Sequence, residues 1–322
     1  PSRPPTPPRQ ATSRRSTRLL ATRLLATSLR RRRSLGRSGS EVSTAPSVGV
    51  QRILAGAPTP KLRVTLYDQD GDPAASVGSL TCTITRANGT VIETGRATSA
   101  GPVDGAYTCS LTTAEGSTLD VLTATWLDGS DVRATTYHRI VGGFIYSIRE
   151  LAAMPGVASA HDDEQLRVER DRISDLIENA TGLAWAPRYD RIEFEGHGHT
   201  RHALRYRPVT ALREVTIGDA SVTISDLDLN QTSGIISGVT FSGWCVIGCE
   251  HGPAGPPRDL RDAALVASAD RLLRNRNALG PRVRSVTTEM GAVQQFGWAG
   301  PDHPTGLDEV DAVIMSYARA SF

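Results

Sequence analysis

Lysine, aromatic residues and long apolar runs are all scarce in this chain of 322 residues. Lysine occurs once, at Lys61, against 35 arginines, a bias typical of a GC-rich coding sequence. Aromatic residues make up 5% of the chain, which favours cores of aliphatic and β-branched side chains. No apolar run approaches 18 residues, so the sequence predicts no transmembrane helix. The length still allows two domains plus tails, each with its own core.

Cysteine is rare as well. Four cysteines in 322 residues do not make a disulfide scaffold, which favours a reducing compartment. Cys82 and Cys109 lie in strand-like segments, where they are expected to face each other or neighbouring core residues. Buried thiols that act as small hydrophobic groups are the favoured interpretation, and a disulfide is the alternative.

Acidic residues are missing from the N-terminal end. Residues 1–40 contain 11 arginines and no acid, whereas the other 282 residues contain 25 basic and 34 acidic groups, a net charge of −9. Residues 1–46 are rich in Pro, Ser, Thr and Arg, so they are predicted to be a disordered basic tail. The arginines also interrupt any apolar signal segment. An anion-binding arm is the alternative, with DNA-contacting candidates Arg30, Arg31, Arg32 and Arg33.

Residues 60–141 alternate between apolar and polar residues in short runs. One run places Leu62, Val64 and Leu66 on one face of a strand, and Asn88-Gly89 is a strong hairpin turn signal. A later run places Leu122, Ala124 and Trp126 on one face. About six strands at roughly ten-residue spacing predict a β-sandwich.

Residues 144–322 combine helical and strand patterns. Ser147 and Glu150 form a capping box for a short helix, and a longer amphipathic helix begins at Asp162 and ends at Gly182. Strand patterns follow from residue 188 to 252, and a third helix opens at Pro256-Pro257. The charged face of the longer helix is either solvated or a subunit interface. A composition break at residues 141–143 predicts a hinge between independent domains.

A short amphipathic helix is predicted at the C-terminus. Apolar residues recur there at helical spacing, at Leu307, Val310, Val313, Ile314 and Tyr317. About three turns of helix are too short to be stable alone, so this helix must dock on something. Docking on its own domain and docking on another subunit are both open from the spacing.

Three groups of residues are candidates for chemistry. The first is a possible metal-binding loop, His197, His199 and His202. The second is Cys245, Cys249 and His251, which fall on one strand face and are better explained as core. The third is Asp162, Asp163 and Glu164, which suit the positive end of a helix. Since each has a structural explanation and no catalytic motif is recognisable, the sequence predicts a non-enzyme without catalytic residues, metal or cofactor.

Residues 60–141 resemble an immunoglobulin-like domain of the kind carried on phage and bacterial surface proteins. The string GAYTC matches the Tyr-x-Cys of a tyrosine corner, at Tyr107 and Cys109. Cys82 and Cys109 are only 27 residues apart and no Trp lies between them, so the antibody-type core is absent.

Residues 144–322 resemble the head-to-tail adaptor (connector) proteins of long-tailed actinobacteriophages. Three segments carry the resemblance: residues 162–188, 256–279 and 303–317. It implies an α+β fold, a helical-bundle adaptor domain with a β-rich excursion. It further implies a ring, commonly of twelve subunits, at the virion neck after assembly in the host cytoplasm. The implied partners are the portal protein, a stopper or tail-completion protein, and the genomic double-stranded DNA that passes through the lumen.

Within that resemblance, the C-terminal stripe is a hypothetical oligomer or portal interface, formed by Leu307, Val310, Ile314 and Tyr317. Shorter family members lack the preceding sandwich and basic tail, so residues 1–141 depart from the pattern. An alternative function is a virion-surface or secreted immunoglobulin-like protein that binds a host glycan or protein. A third, weaker interpretation is a DNA-binding protein that uses the arginine tail.

Overall fold

The computed structural model describes residues 50–68, 70–75, 78–274, 285–287, 293–295 and 303–318. The predicted tail, residues 1–46, lies outside this part of the chain. So do the four candidate DNA-contacting residues, Arg30, Arg31, Arg32 and Arg33. The described residues form a mixed α/β structure in which most strands pair antiparallel. They contain no helix long and apolar enough to span a bilayer.

The first part of the chain is two sheets built from eight strands. In chain order they are β1 (Gln51–Leu54), β2 (Lys61–Thr65), β3 (Leu80–Arg86), β4 (Val91–Ala97), β5 (Ser99–Ala100), β6 (Ala106–Ser110), β7 (Asp120–Asp128) and β8 (Asp131–Val141). A small sheet has the order β2-β6-β5, and β4-β3-β7-β8 belong to a larger one, with β1 parallel to β8. The structure has eight strands here instead of the six expected, because β1 precedes the predicted region and β5 has only two residues.

The two sheets share one apolar core. Leu62, Val64 and Leu66, from β2 and the residue after it, are each at most 6% exposed. They lie in one cluster with three fully buried residues of β7, Leu122, Ala124 and Trp126. The alternation predicted for both strands is therefore confirmed. Each strand buries one face because successive side chains point to opposite sides of a sheet.

Cys82 and Cys109 meet inside this core as free thiols. Cys82 is in β3 of the large sheet and Cys109 is in β6 of the small sheet, and both are fully buried. A hydrogen bond with Cys109 and burial raise the pKa of Cys82. The favoured interpretation of buried, unbridged thiols is confirmed.

The second part of the chain places strands between two pairs of helices. In chain order the elements are α1 (Ile148–Ala152), α2 (Asp163–Thr181), β9 (Arg188–Ala203), β10 (Val209–Ile217), β11 (Ala220–Ser221), a 3-10 turn (Ile224–Asp226), β12 (Asp228–Asn230), β13 (Ile235–His251), α3 (Arg258–Arg274), β14 (Ser285–Thr287), β15 (Val293–Gln295) and α4 (Asp308–Ser316). The predicted helix–helix–strands–helix–helix order is thus present.

The predicted helix ends are also present. Ser147 and Glu150 form the capping box of α1. Asp162 caps α2 through its bond from the backbone N–H of Gln165, at 2.8 Å. Gly182 ends α2 in the left-handed conformation, with φ of 66°. Because capping depends on a few adjacent residues, it was readable from the sequence.

The four helices bury their apolar faces in one cluster. Leu166 and Ile173 of α2 lie there with Leu260 and Ala264 of α3, and Ile314 comes from α4. Every one of these side chains is at most 2% exposed. Helices from both sides of the inserted strands therefore share one core. That arrangement holds the two ends of the insertion close together.

The inserted strands form a sheet centred on two long antiparallel strands, β9 and β13. β9 pairs antiparallel with β13 from Arg188–His251 to Ala203–Ile235, with irregular register around Phe241. Gly238 has φ of 105°, and a Cβ there would lie 2.4 Å from the carbonyl oxygen of Asp226. Only glycine fits such a position without strain. Together with β10 and β12, these two strands enclose their own small apolar core.

The two parts of the chain share one continuous sheet. Its order is β11-β10-β13-β9-β8-β7-β3-β4, and Val141 of β8 pairs with Arg188 of β9. Gly142 donates its N–H to the carbonyl oxygen of Pro187 at 2.7 Å, and a Cβ on Gly142 would lie 2.8 Å from that proline's Cβ. Gly142 therefore allows close packing where the sequence suggested a hinge. The domain limits 60–141 and 144–322, and their independence, stay predictions.

Candidate functional site

A buried cluster of charged side chains joins β1 to α2. Arg52 is 7% exposed, and its guanidinium donates to Glu178 Oε1 at 3.0 Å and Oε2 at 2.7 Å. It also donates to Asp175 Oδ1 at 2.6 Å, while its backbone N–H donates to Asp171 Oδ2 at 3.0 Å. One arginine thus holds three carboxylates of one helix, 119 to 126 residues away in sequence.

The same cluster continues into the large sheet. Arg188 Nη1 donates to Glu178 Oε2 at 2.5 Å, and Arg188 Nε lies 3.2 Å from Asp190 Oδ2. Asp190 also accepts from Arg139 at 3.3 Å and lies 2.8 Å from His251 Nε2. We call this set the ionic junction; its members are Arg52, Arg139, Arg170, Asp171, Asp175, Glu178, Arg188, Asp190 and His251. Four arginines balance four carboxylates.

The electrostatics of the junction favour the charged form of its central carboxylates. Burial alone would raise the pKa of Glu178, but hydrogen bonds from Arg52 outweigh it and lower the pKa. Burial would also raise the pKa of Asp190, but the contacts with His251 and Arg139 outweigh burial and lower this pKa. For His251 burial wins over Asp190 and lowers the pKa. The imidazole is therefore neutral at pH 7.

The His251–Asp190 contact has the geometry of a base and its orienting acid, but its setting is structural. The His251 ring is fully buried and stacks on Tyr206, with centroids 4.1 Å apart. Asp190 is committed to two arginines as well. A general base must reach the proton that it removes from a substrate. A fully enclosed imidazole cannot do so, and this pair instead orients β9 against β13.

The three histidines of the predicted loop do not converge. The ring of His202 stacks on Phe194 at 3.8 Å between centroids, and burial lowers its pKa. His197 and His199 are exposed on β9. Among the described residues no group of three or more His, Cys, Asp or Glu could hold a metal ion.

The other two groups also have structural roles. Cys245, Cys249 and His251 lie on one face of β13 and are fully buried, as the core interpretation predicted. Burial and the Asp190 carboxylate raise the pKa of Cys249 to about 12. Of the acidic group Asp162, Asp163 and Glu164, the first caps α2 and the last lies 3.1 Å from both Arg63 and Arg167.

The C-terminal stripe packs within its own chain. Ile314 is fully buried and Val310 is 6% exposed, both in the helical core, and Leu307 and Tyr317 pack against it. Tyr317 stacks edge-on against Trp185 at 5.2 Å and donates to Asp259 at 2.9 Å. Local docking, left open by the spacing, accounts for this face because α2 and α3 leave an apolar surface. Contact of the four residues with another subunit or a portal stays a prediction, and their apolar atoms already have partners.

An open groove lies beside the ionic junction. It encloses about 580 Å3 between β1, β2, β8 and α2. Its walls include Tyr137 and Val168, which are 55% and 49% exposed, and Lys61, Arg63 and Arg167. Volumes of roughly 300–1,000 Å3 are usual for binding pockets. Spacing could not predict the groove because its walls come from four separate elements.

An exposed tryptophan marks a second surface. Trp244 of β13 is 55% exposed and pairs across the strands with Glu195 of β9. Its carbonyl oxygen accepts from the N–H of Gly218, which places the turn containing Asp219 alongside. We call Trp244, Glu193, Glu195 and Asp219 the Trp244 patch. Strand alternation alone could not predict it, because Val246, the other neighbour of the buried Cys245, is also buried.

Comparison with known proteins gives little. No protein-family profile and no curated protein matches the sequence. Among solved structures the chain is similar to one described as the ZIG-8–RIG-5 IG1–IG1 heterodimer. The identity is 16%, over 32% of this chain and 89% of that chain, with a TM-score of 0.21.

Proposed function

We propose that this protein is a structural virion component, a ring-forming head-to-tail adaptor that joins a portal to a tail or stopper. In this proposal the helices and inserted strands of residues 144–322 form the adaptor domain. Residues 60–141 add an immunoglobulin-like domain. Double-stranded DNA passes through the lumen, and the protein acts at the virion neck.

The observation that carries the proposal is the helical core shared across the inserted strands. Leu166 and Ile173 precede the insertion, whereas Leu260, Ala264 and Ile314 follow it, and all five pack together. The resemblance implies this kind of assembly, a helical bundle with a β-rich excursion. It is supported here by packing between residues far apart in sequence, which no local pattern can produce.

Charge is consistent with the same function. Residues 41–322 contain 25 basic and 34 acidic groups, so the body is acidic. An acidic lumen repels phosphate, and DNA must slide through an adaptor without binding tightly. The buried His251–Asp190 pair fits a structural role better than a catalytic one, because no substrate can reach it.

The experiment is a mass measurement on the full chain across a range of concentrations, by native mass spectrometry or sedimentation. The expected result is a closed ring with one dominant subunit number, near twelve. Images that show the rings docked on purified portal particles would extend this result to the portal. A strict monomer that binds neither itself nor a portal contradicts the adaptor function.

The alternative, an immunoglobulin-like binding protein, rests on the two-layer sandwich of β1–β8. Its exposed apolar residues include Val91, Val103 and Val132, each at least 52% exposed. A monomer that binds host glycans or a host surface protein through the sandwich would favour this alternative.

A further inference from the structure

We propose that the Trp244 patch of one copy docks into the groove of the next copy and forms the repeating contact of the ring. This rests on the proposed function and specifies which two surfaces carry the assembly. The two surfaces lie on different elements of the chain, β13 with β9 on one side and β2, β8 and α2 on the other. A contact between different surfaces of identical copies is heterologous, and it closes into a ring when the rotation permits.

The first argument is the exposure of a large apolar side chain. Trp244 is 55% exposed on a strand whose next residue, Cys245, is fully buried. Tryptophan is among the residues most enriched at the energetic centres of interfaces. On the receiving side, Tyr137 and Val168 leave apolar surface open in the groove. An indole inserted there would cover all three.

The second argument is charge complementarity. Glu195 is the cross-strand neighbour of Trp244, and Asp219 is also exposed and acidic, whereas Glu193 pairs with Arg191 of its own chain. The groove is rimmed by Lys61, Arg63 and Arg167. Glu164 lies 3.1 Å from both arginines and Asp163 lies 3.7 Å from Arg167, whereas Lys61 has no ion pair among the described residues. Opposite charges around an apolar centre give the contact orientation and partner choice.

A second copy is the occupant that these features favour. The Trp244 patch and the groove occur on the same chain, so each copy can place its patch in the groove of one neighbour and receive the patch of another. The apolar side chains of both surfaces, Trp244, Tyr137 and Val168, stay about half exposed, in contrast to the buried C-terminal stripe. The contact therefore pairs Trp244 with Tyr137 and Val168 in the groove, and Glu195 with Lys61 at its rim.

The first test measures self-association of the full chain and of its Trp244→Ala and Val103→Ala variants. Trp244→Ala should raise the dissociation constant between subunits at least roughly 30-fold, the effect typical of an interface hot spot. Val103→Ala, a matched change at a residue 60% exposed, should leave assembly unchanged. The melting temperature of the Trp244→Ala monomer should match the wild type because this side chain is outside the core.

Charge exchange gives the sharper test. Glu195→Lys and Lys61→Glu should each weaken assembly, and the double variant should recover most of it, since the pair is restored with its signs reversed. Asp104→Lys, an equal charge change elsewhere, should have no effect. A double variant as weak as the sum of its single changes overturns the pairing.

The outcomes separate this inference from the proposed function. Rings that form normally with Trp244→Ala overturn the inferred contact and leave the adaptor function standing. A wild-type chain that stays monomeric at all concentrations overturns both. A monomer whose Trp244 patch binds a different protein overturns the choice of a second copy as occupant.

Discussion

The helical core and the ionic junction lie on opposite sides of α2, and they stabilise the protein in different ways. The core face carries Leu166, Ile173 and Ile177, which are apolar and at most 2% exposed. The junction face carries Asp171 and Glu178, which are also nearly buried but bind arginines. Burying apolar area stabilises in proportion to the area and does not require one orientation. A buried ion pair adds little net stability, and it penalises any arrangement in which its charges lose their partners.

The difference indicates a division of roles. The apolar core supplies the stability of the helices, whereas the junction fixes where the sandwich sits against them. Arg52 contributes both its backbone N–H and its guanidinium to α2. Displacing β1 would leave Asp171 and Glu178 with fewer partners. We expect the relative orientation of the two parts to be narrow, which suits a component that must match fixed neighbours.

Removing residues 303–322 should have the largest effect because it strips the apolar side. Val310 and Ile314 each contribute about 1.5–3 kcal/mol by burial, and α2 and α3 would be uncovered. We expect loss of most of the cooperative helical unfolding transition, measured by circular dichroism during heating. Glu309→Ala, on the exposed side of α4, should change little. A truncated protein that melts like the wild type would mean that α4 is dispensable.

The fragment 144–322 tests the junction from the other direction. It keeps the helical core but lacks Arg52 and Arg139, so Asp171, Asp175 and Glu178 lose a shared partner. We expect it to fold with a lower melting temperature than residues 50–322, but not to self-associate through the groove, because it lacks Lys61 and Tyr137. The loss should shrink as pH falls and the carboxylates are protonated. An unfolded fragment would show that the parts are not independent.

Arg52→Met removes the guanidinium group from the ionic junction and keeps β1 in place. Removing one partner of a buried ion pair destabilises by about 3–5 kcal/mol, and we expect this range from urea unfolding. Arg258→Met is the matched control: its side chain is 93% exposed beside Asp262, so no measurable change is expected. If the two substitutions lower the free energy of unfolding equally, the ionic junction does not stabilise the fold more than an exposed ion pair does.

The pH dependence of stability at two buried histidines sharpens the comparison further. Burial, with the nearby Arg63, lowers the pKa of His138 in the sandwich from 6.5 to about 3. Between these values the unfolded chain binds one more proton than the folded chain. Stability should therefore fall with falling pH by up to about 1.4 kcal/mol per pH unit.

Denaturant unfolding between pH 3.5 and 6.5 measures this slope. His138→Gln should flatten it, since the titrating group is gone. His251→Gln should flatten it less, because Asp190 already offsets part of the effect of burial on His251. The reverse ranking would contradict the contrast between an apolar and an ionic setting.

Local patterns predicted much of the fold. The alternation of β2 and β7, the Asn88-Gly89 turn and the caps at Ser147, Asp162 and Gly182 each depend on neighbouring residues. They appear in the structure where the sequence put them. The burial of Cys245 and Cys249 also followed from strand alternation.

What the sequence could not predict depends on distant partners. Glu169, Arg170 and Asp171 look like the solvated side of an amphipathic helix, yet each is at most 8% exposed. Their partners are Arg271, the Phe144 ring and Arg52. No spacing rule links a four-residue strand to a helix more than 100 residues later. The packing of α4 on its own chain was not predicted for the same reason, and the resemblance favoured a contact with another subunit or a portal instead.

The parallel pairing of β1 with β8 has a consequence for how the chain is made. β1 leaves the ribosome early, but its neighbour β8 and its ion partners on α2 come later, up to 126 residues on. At roughly 5–20 residues per second, β1 waits about 6–25 s for those partners. During that time Arg52 has none of its buried contacts. Among the described strands of the sandwich, β1 is therefore made first but waits longest for its contacts.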